Sequence, residues 1–143
     1  MSRRPHIGWL LKQAVDHTRR AVDEALRDHD VSVAQWAVLN RLSEHPQLSG
    51  AELARRMLIT PQAAHQALTT LERMGLVQRK PDPDHARIVR AFLTEDGRRI
   101  TEACRTEVLK VERRLLAGFD ADERRAFTDF LVRYVRESEP PAG

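Results

Sequence analysis

A single cysteine, Cys104, among 143 residues has no partner in its own chain, so no intramolecular disulfide supports the fold. No Cys/His cluster shows zinc spacing, and the expectation is a protein without metal ligands. Long apolar runs are missing too. Stretches such as Leu10-Leu11 and Leu115-Leu116-Ala117 fall far short of the roughly 20 residues that cross a bilayer. The basic start Met1-Ser2-Arg3-Arg4-Pro5 leads into a charged helical pattern and not into the apolar segment of a secretory signal, so a cytoplasmic chain with no membrane contact is expected. There is no Gly-rich phosphate loop, and no Ser/His/Asp or paired-carboxylate motif nominates catalytic residues. The composition points away from an enzyme, and no cofactor is implied.

What is present is enough apolar material, 41% of residues, to bury one core in a single domain, 1–143. Net charge is only +3, so its placement matters more than its size. Residues 50–93 hold seven basic side chains (Arg55, Arg56, Arg73, Arg79, Lys80, Arg87, Arg90) against four acidic ones (Glu52, Glu72, Asp82, Asp84). The whole surplus therefore sits in the middle third, where it would attract a polyanion.

Helical periodicity predicts a first helix from about Pro5 to Asp28. Ser32 with Gln35 forms a Ser-x-x-Gln capping box for a second helix, which His45-Pro46 stops, and Ser49 with Glu52 opens a third. Thr60 as N-cap and Pro61 at the first helical position start a fourth, ended by Gly75. The period then shortens. Residues 76–80 and 88–93 read as two strands around the turn-rich Pro81-Asp82-Pro83-Asp84-His85. Thr94 caps a long helix reaching Phe119, Asp120 begins a last one, and a polar tail from Glu137 to Gly143 is expected to fray.

Two short capped helices followed by a hairpin, Ser49 to Leu93, have the order of a winged helix-turn-helix. The fold class is mainly α with a small β-hairpin wing (α+β). On a wheel of the fourth helix, His65, Gln66, Thr69 and Arg73 fall within roughly 60° of Gln62, and Ala64, Ala67, Leu68, Leu71 and Met74 lie opposite. One face packs, and the other is polar and nearly uncharged. Such a face suits base reading: Gln pairs with adenine through two atoms, His and Arg donate to guanine, and Thr offers a hydroxyl and a methyl. The competing reading is that this is merely the wet side of an amphipathic helix, or a surface that meets another protein.

At this point the chain resembles the MarR family of multiple-antibiotic-resistance-type regulators. The resemblance is carried by Leu53-Ala54, by Leu71-Glu72-Arg73-Met74-Gly75-Leu76-Val77, and by Arg87 followed by Leu93-Thr94-Glu95-Asp96-Gly97. It implies a homodimer, with residues 5–30 and 94–137 as the helical dimerisation region and 32–93 as the DNA-binding lobe (recognition helix about 61–74, wing about 76–93). It further implies a transcriptional regulator, most often a repressor, on palindromic double-stranded operator DNA. A small aromatic or anionic ligand often releases such regulators from a crevice between the two regions. The alternative is a winged-helix protein-interaction module. Two departures stand out. His85 occupies the place of the wing's usual aspartate, with Asp84 one residue early, and Ala63, His65 and Gln66 replace the family's Thr/Ser and Arg in the recognition helix.

The expected DNA-binding residues are therefore Thr60, Gln62, Ala63, His65, Gln66, Thr69 and Arg73 on the fourth helix, with Arg79, Lys80, Arg87 and Arg90 on the wing. Arg87 is the expected principal wing contact, and the alternative pairs it with Asp82 or Asp84. Trp9, Gln13 and His17 on the first helix, with Trp36, are the expected ligand-binding residues. Cys104 falls on an apolar stripe with Ile100 and Val108, so it reads as a packing residue.

Overall fold

A computed structural model describes residues 3–140; the expectations for Met1, Ser2 and the last three residues lie outside it. Its element order follows the local signals closely: α1 (Ile7–Leu26) with a 3-10 turn at Arg27–His29, α2 (Val33–Glu44), α3 (Gly50–Met57), α4 (Pro61–Arg73), β1 (Val77–Pro81), β2 (Val89–Leu93), α5 (Glu95–Leu115) and α6 (Ala121–Ser138). Five of the six helices start at a side-chain cap. Ser32, Ser49 and Asp120 each complete a capping box with the residue three positions on, and the Thr60 and Thr94 hydroxyls accept from the Ala63 and Gly97 backbone N–H groups. Asp23 on α1 adds a second acceptor for the start of α2, taking the Val33 N–H at 3.1 Å.

Several boundaries differ from expectation. Pro81 ends β1 instead of opening the turn, because at the end of a two-stranded ribbon no ladder bond needs its missing N–H. α5 stops at Leu115, short of Phe119, and α6 continues through Glu137 to Ser138.

The core forms where α1 to α5 pack together with the hairpin, around the fully buried Leu26, Leu39, Leu53 and Leu71. Cys104 is buried among them, as its stripe predicts. β1 and β2 pair antiparallel from Val77↔Leu93 to Pro81↔Val89. The chain entering α3 lies along the open edge of β2: Ala91 donates its N–H to the Leu48 carbonyl at 2.9 Å, which locks the hairpin to the helical pair.

Two glycines make this junction possible. Gly75 ends α4 at φ 76°, a left-handed conformation that glycine adopts without strain. Gly97, in the first turn of α5, lies so close to the Leu76 carbonyl that a Cβ would come within 2.0 Å of its oxygen.

α1 and α6 contrast with this core. α6 buries no residue completely: Phe130 (60% exposed), Phe127, Val132 and Val135 stand open, as do Ile7, Leu10 and Val15 of α1.

Candidate nucleic-acid interface

α4 is divided as the wheel predicts: Ala64, Leu68 and Leu71 are buried, and Gln62, His65, Gln66 and Arg73 are exposed. Thr69 and Ala63 are half-buried at the margin. Met74, placed by the wheel on the packing side, is 39% exposed because it is the C-cap where the helix leaves the core. Thr60 is exposed, and its hydroxyl is engaged in capping. The turn before α4 contains Leu58, left-handed at φ 54° and 91% exposed. A groove of about 600 Å³ separates α4 from the wing, lined among others by Gly50, His65, Leu68, Arg79, Arg87 and Ile88.

The four wing cations divide into two pairs. Arg87 and Lys80 are exposed. Arg87 forms no ion pair among the described residues, so the alternative of a pairing with Asp82 or Asp84 does not occur; the Lys80 ammonium lies 5.6 Å from the centre of the Phe92 ring. Arg79 and Arg90, expected near phosphates, are half-buried and bonded to acceptors of the protein itself. Arg79 reaches α4, where it forks onto Glu72 at 3.2 and 3.3 Å and also meets Thr69 and His65. Arg90 donates to Asp82 and to the Gln47 carbonyl at 2.9 Å, and lies 3.7 Å from Glu52. The physical reason is local supply of acceptors, since a guanidinium with partial burial binds a nearby carboxylate through several N–H groups at once.

Neither Glu72 nor Asp82 stood out as a site residue in the sequence. Asp82 organises the wing tip, taking the backbone N–H groups of Asp84 at 2.8 Å and His85 at 3.0 Å as well as the Arg90 guanidinium. Arg90, then those N–H groups, hold its carboxyl below the usual carboxylate range. Arg79 does the same for Glu72. At the departure from the family pattern, the His85 side chain is exposed and its backbone N–H is held by Asp82, which braces the tip.

The sequence pattern described as the MarR family matches residues 29–88, the segment from the end of α1 to the wing tip. The HTH-type transcriptional repressor Rv2887 of Mycobacterium tuberculosis is 34% identical over 127 residues, 89% of this chain and 91% of the relative. The chain belongs to the MarR family. Among other relatives, the homoprotocatechuate degradative operon repressor of Escherichia coli is 26% identical over 77% of this chain and 74% of its own length. A cysteine-to-serine mutant of E. coli MarR, solved complexed with operator DNA, superposes with a TM-score of 0.81 at 28% identity, covering 90% of this chain and 92% of the other. The mainly helical fold with a two-stranded wing is thus the family's, and the family is one of transcriptional regulators.

The four expected ligand residues are less clearly grouped. Trp9 and His17 are exposed, Gln13 and Trp36 half-buried, and the groove beside the wing is lined by other residues. Trp36 packs against the core, and its Nε1 is buried without a hydrogen-bond partner among the described residues. Cys104 has its thiol pushed up by burial, with Glu107 adding to the shift, the opposite of a reactive thiolate. No described helix is long and apolar enough to cross a membrane.

Proposed function

We propose that this protein is a transcriptional repressor that binds palindromic operator DNA as a homodimer in the cytoplasm, and that it is not an enzyme. The observation that carries this reading is the exposed face of α4, where Gln62, His65 and Gln66 are free of the core, beside a wing whose Arg87 and Lys80 extend outward. α4 enters the major groove and its polar face reads base edges; Arg73 and the Thr60 end of the helix approach the backbone. Arg87 enters the minor groove, where a guanidinium sheds water more readily than an ammonium and the potential is most negative. Dimerisation through α1, α5 and α6 is supported by the open apolar side chains of α1 and α6, which an isolated protomer leaves in water. With a two-fold dimer, half-sites lie about 10 base pairs apart, centre to centre.

A small aromatic or anionic ligand near Trp9, Gln13, His17 and Trp36 is a second element of the proposal. It is supported by the unpartnered Trp36 indole N–H, a buried donor that costs about 1–3 kcal/mol if nothing accepts from it. Such a ligand acts by favouring a dimer whose recognition helices are wrongly spaced.

Selection of bound sequences from a random DNA pool, combined with a salt titration, tests the main reading. A palindromic consensus with steep salt dependence is expected. Recovery of unenriched sequence would refute it and favour a winged-helix module whose α4 meets a protein.

A further inference from the structure

His65 does not act alone on α4. Its Nδ1 lies 3.2 Å from Nη1 of Arg79, which reaches it from β1, fourteen residues further along the chain. A guanidinium has five N–H donors and no acceptor, so the nitrogen that faces it must present a lone pair. In the neutral imidazole one nitrogen carries the lone pair and the other the hydrogen. With Nδ1 accepting from Arg79, the hydrogen belongs on Nε2, which has no partner among the described residues.

The same guanidinium alters Thr69. The Thr69 hydroxyl donates to the His65 carbonyl at 2.9 Å and accepts from Arg79 Nη2 at 3.1 Å, so its hydrogen is committed inside the helix and chiefly its methyl is left for a base. Glu72 anchors the fork on the other side through both carboxylate oxygens, and the Arg79 side chain is only 20% exposed. Arg79 is thereby restrained from turning to a phosphate, and its contact with His65 is part of the resting protein.

We propose that Arg79 is a positioning residue that fixes His65 as a hydrogen-bond donor through Nε2, and so sets which base His65 reads. The inference rests on α4 entering the major groove. A donor at that point favours a base edge with acceptors: guanine presents N7 and O6, adenine N7 and thymine O4, whereas cytosine presents only its amino donor. Guanine is preferred and cytosine rejected. An imidazole released from Arg79 can take up either tautomer, so it accepts from an amino group in a fraction of molecules and loses part of that discrimination.

Two measurements test this. In DNA-free protein labelled with 15N-histidine, long-range proton–nitrogen correlation at mildly alkaline pH, with His65 assigned from His65→Gln, is expected to show hydrogen on Nε2; Arg79→Met should give a tautomer mixture. Hydrogen on Nδ1 in the unaltered protein would overturn the proposal without any variant. The second measurement places each of the four bases at the half-site position whose preference His65→Gln changes. The unaltered protein should disfavour cytosine there by about three- to tenfold, the value of one hydrogen bond. Arg79→Met should shrink that ratio, and Arg79→Lys, whose point charge can pair with Glu72 but cannot fork to three partners, should do the same in a protein whose helical circular dichroism is unchanged. In the His65→Gln background, Arg79→Met should shift all four bases equally. Full discrimination retained in a folded Arg79 variant overturns the positioning role alone. Absence of any base preference in the unaltered protein overturns the DNA-binding reading, and this proposal with it.

Discussion

Replacing Gly97 by alanine adds one methyl group in the first turn of α5, and in an open helix that exchange raises stability by about 1 kcal/mol. Here the sign should reverse. The new Cβ would stand 2.0 Å from the Leu76 carbonyl oxygen, 3.0 Å from its carbon and 3.3 Å from Thr94 Oγ1. Ordinary contact begins near 3.4 Å, so the carbonyl must retreat by about 1.4 Å, the difference between those two oxygen distances. That carbonyl accepts the Thr94 N–H at 3.1 Å, and Thr94 in turn donates to the Gly75 carbonyl at 2.7 Å. Overpacking a tight site costs about 1–3 kcal/mol. Losing one hydrogen bond adds about 0.5–1.5 kcal/mol. Set against the gain in helix propensity, the net loss is about 0.5–3.5 kcal/mol. Residues 75–77 join the recognition helix to the wing, so operator affinity should fall as well. Urea unfolding at fixed protein concentration measures the effect, because an oligomer's midpoint depends on concentration. Gly50→Ala is the control: its Cβ would meet nothing within 4 Å at the start of α3, so stability should hold or rise by up to about 1 kcal/mol. A Gly97→Ala midpoint at or above that of the unaltered protein would refute the steric argument.

Asp82→Asn should lower the urea midpoint at neutral pH. The Asp82 carboxyl is held below its ordinary value chiefly by Arg90, so its contribution is complete above 3.8 and is lost as pH falls through the lowered folded value; the gap between the two proteins should close below 3.8, and a gap independent of pH would count against the pairing. Arg87→Ala should leave stability unchanged, weaken binding to specific and random DNA alike, and reduce the salt-dependence slope by about one unit; an unchanged slope removes Arg87 from the interface. Gln66→Ala should cost about 1–3 kcal/mol on the preferred operator and far less on random DNA, and equal losses would show that it does not specify sequence. Leu58→Gly relieves a left-handed residue that costs about 1–2 kcal/mol, less about 0.5–1 kcal/mol for glycine's freedom when unfolded, so stability should hold or rise by up to about 1.5 kcal/mol; a clear loss of stability would mean the exposed leucine has a packing partner.

The sequence by itself determined where the helices begin, because a cap joins residues three apart: Ser32 to Gln35, Ser49 to Glu52, Thr60 to Ala63 and Asp120 to Glu123 are all visible in a line of text. It also determined which face of α4 is dry, since Ala64, Leu68 and Leu71 recur at the helical period, and that Gly75 ends that helix in a left-handed turn. Only the tertiary structure decided what each wing cation does. Four basic residues of similar chemistry lie within twelve positions, yet Arg79 is held by α4 and Arg90 by Asp82 and the Gln47 carbonyl, and Lys80 and Arg87 remain exposed. Their partners lie up to 43 positions away, at separations set by how the hairpin packs on the helical pair. Periodicity reports which side of an element is polar; it carries no information about which acceptor from another element arrives there. For the same reason Gly97 entered the sequence reading only as the end of the Leu93-Thr94-Glu95-Asp96-Gly97 run, and the fold supplies its physical role by bringing the Leu76 carbonyl to the place where any larger side chain would begin.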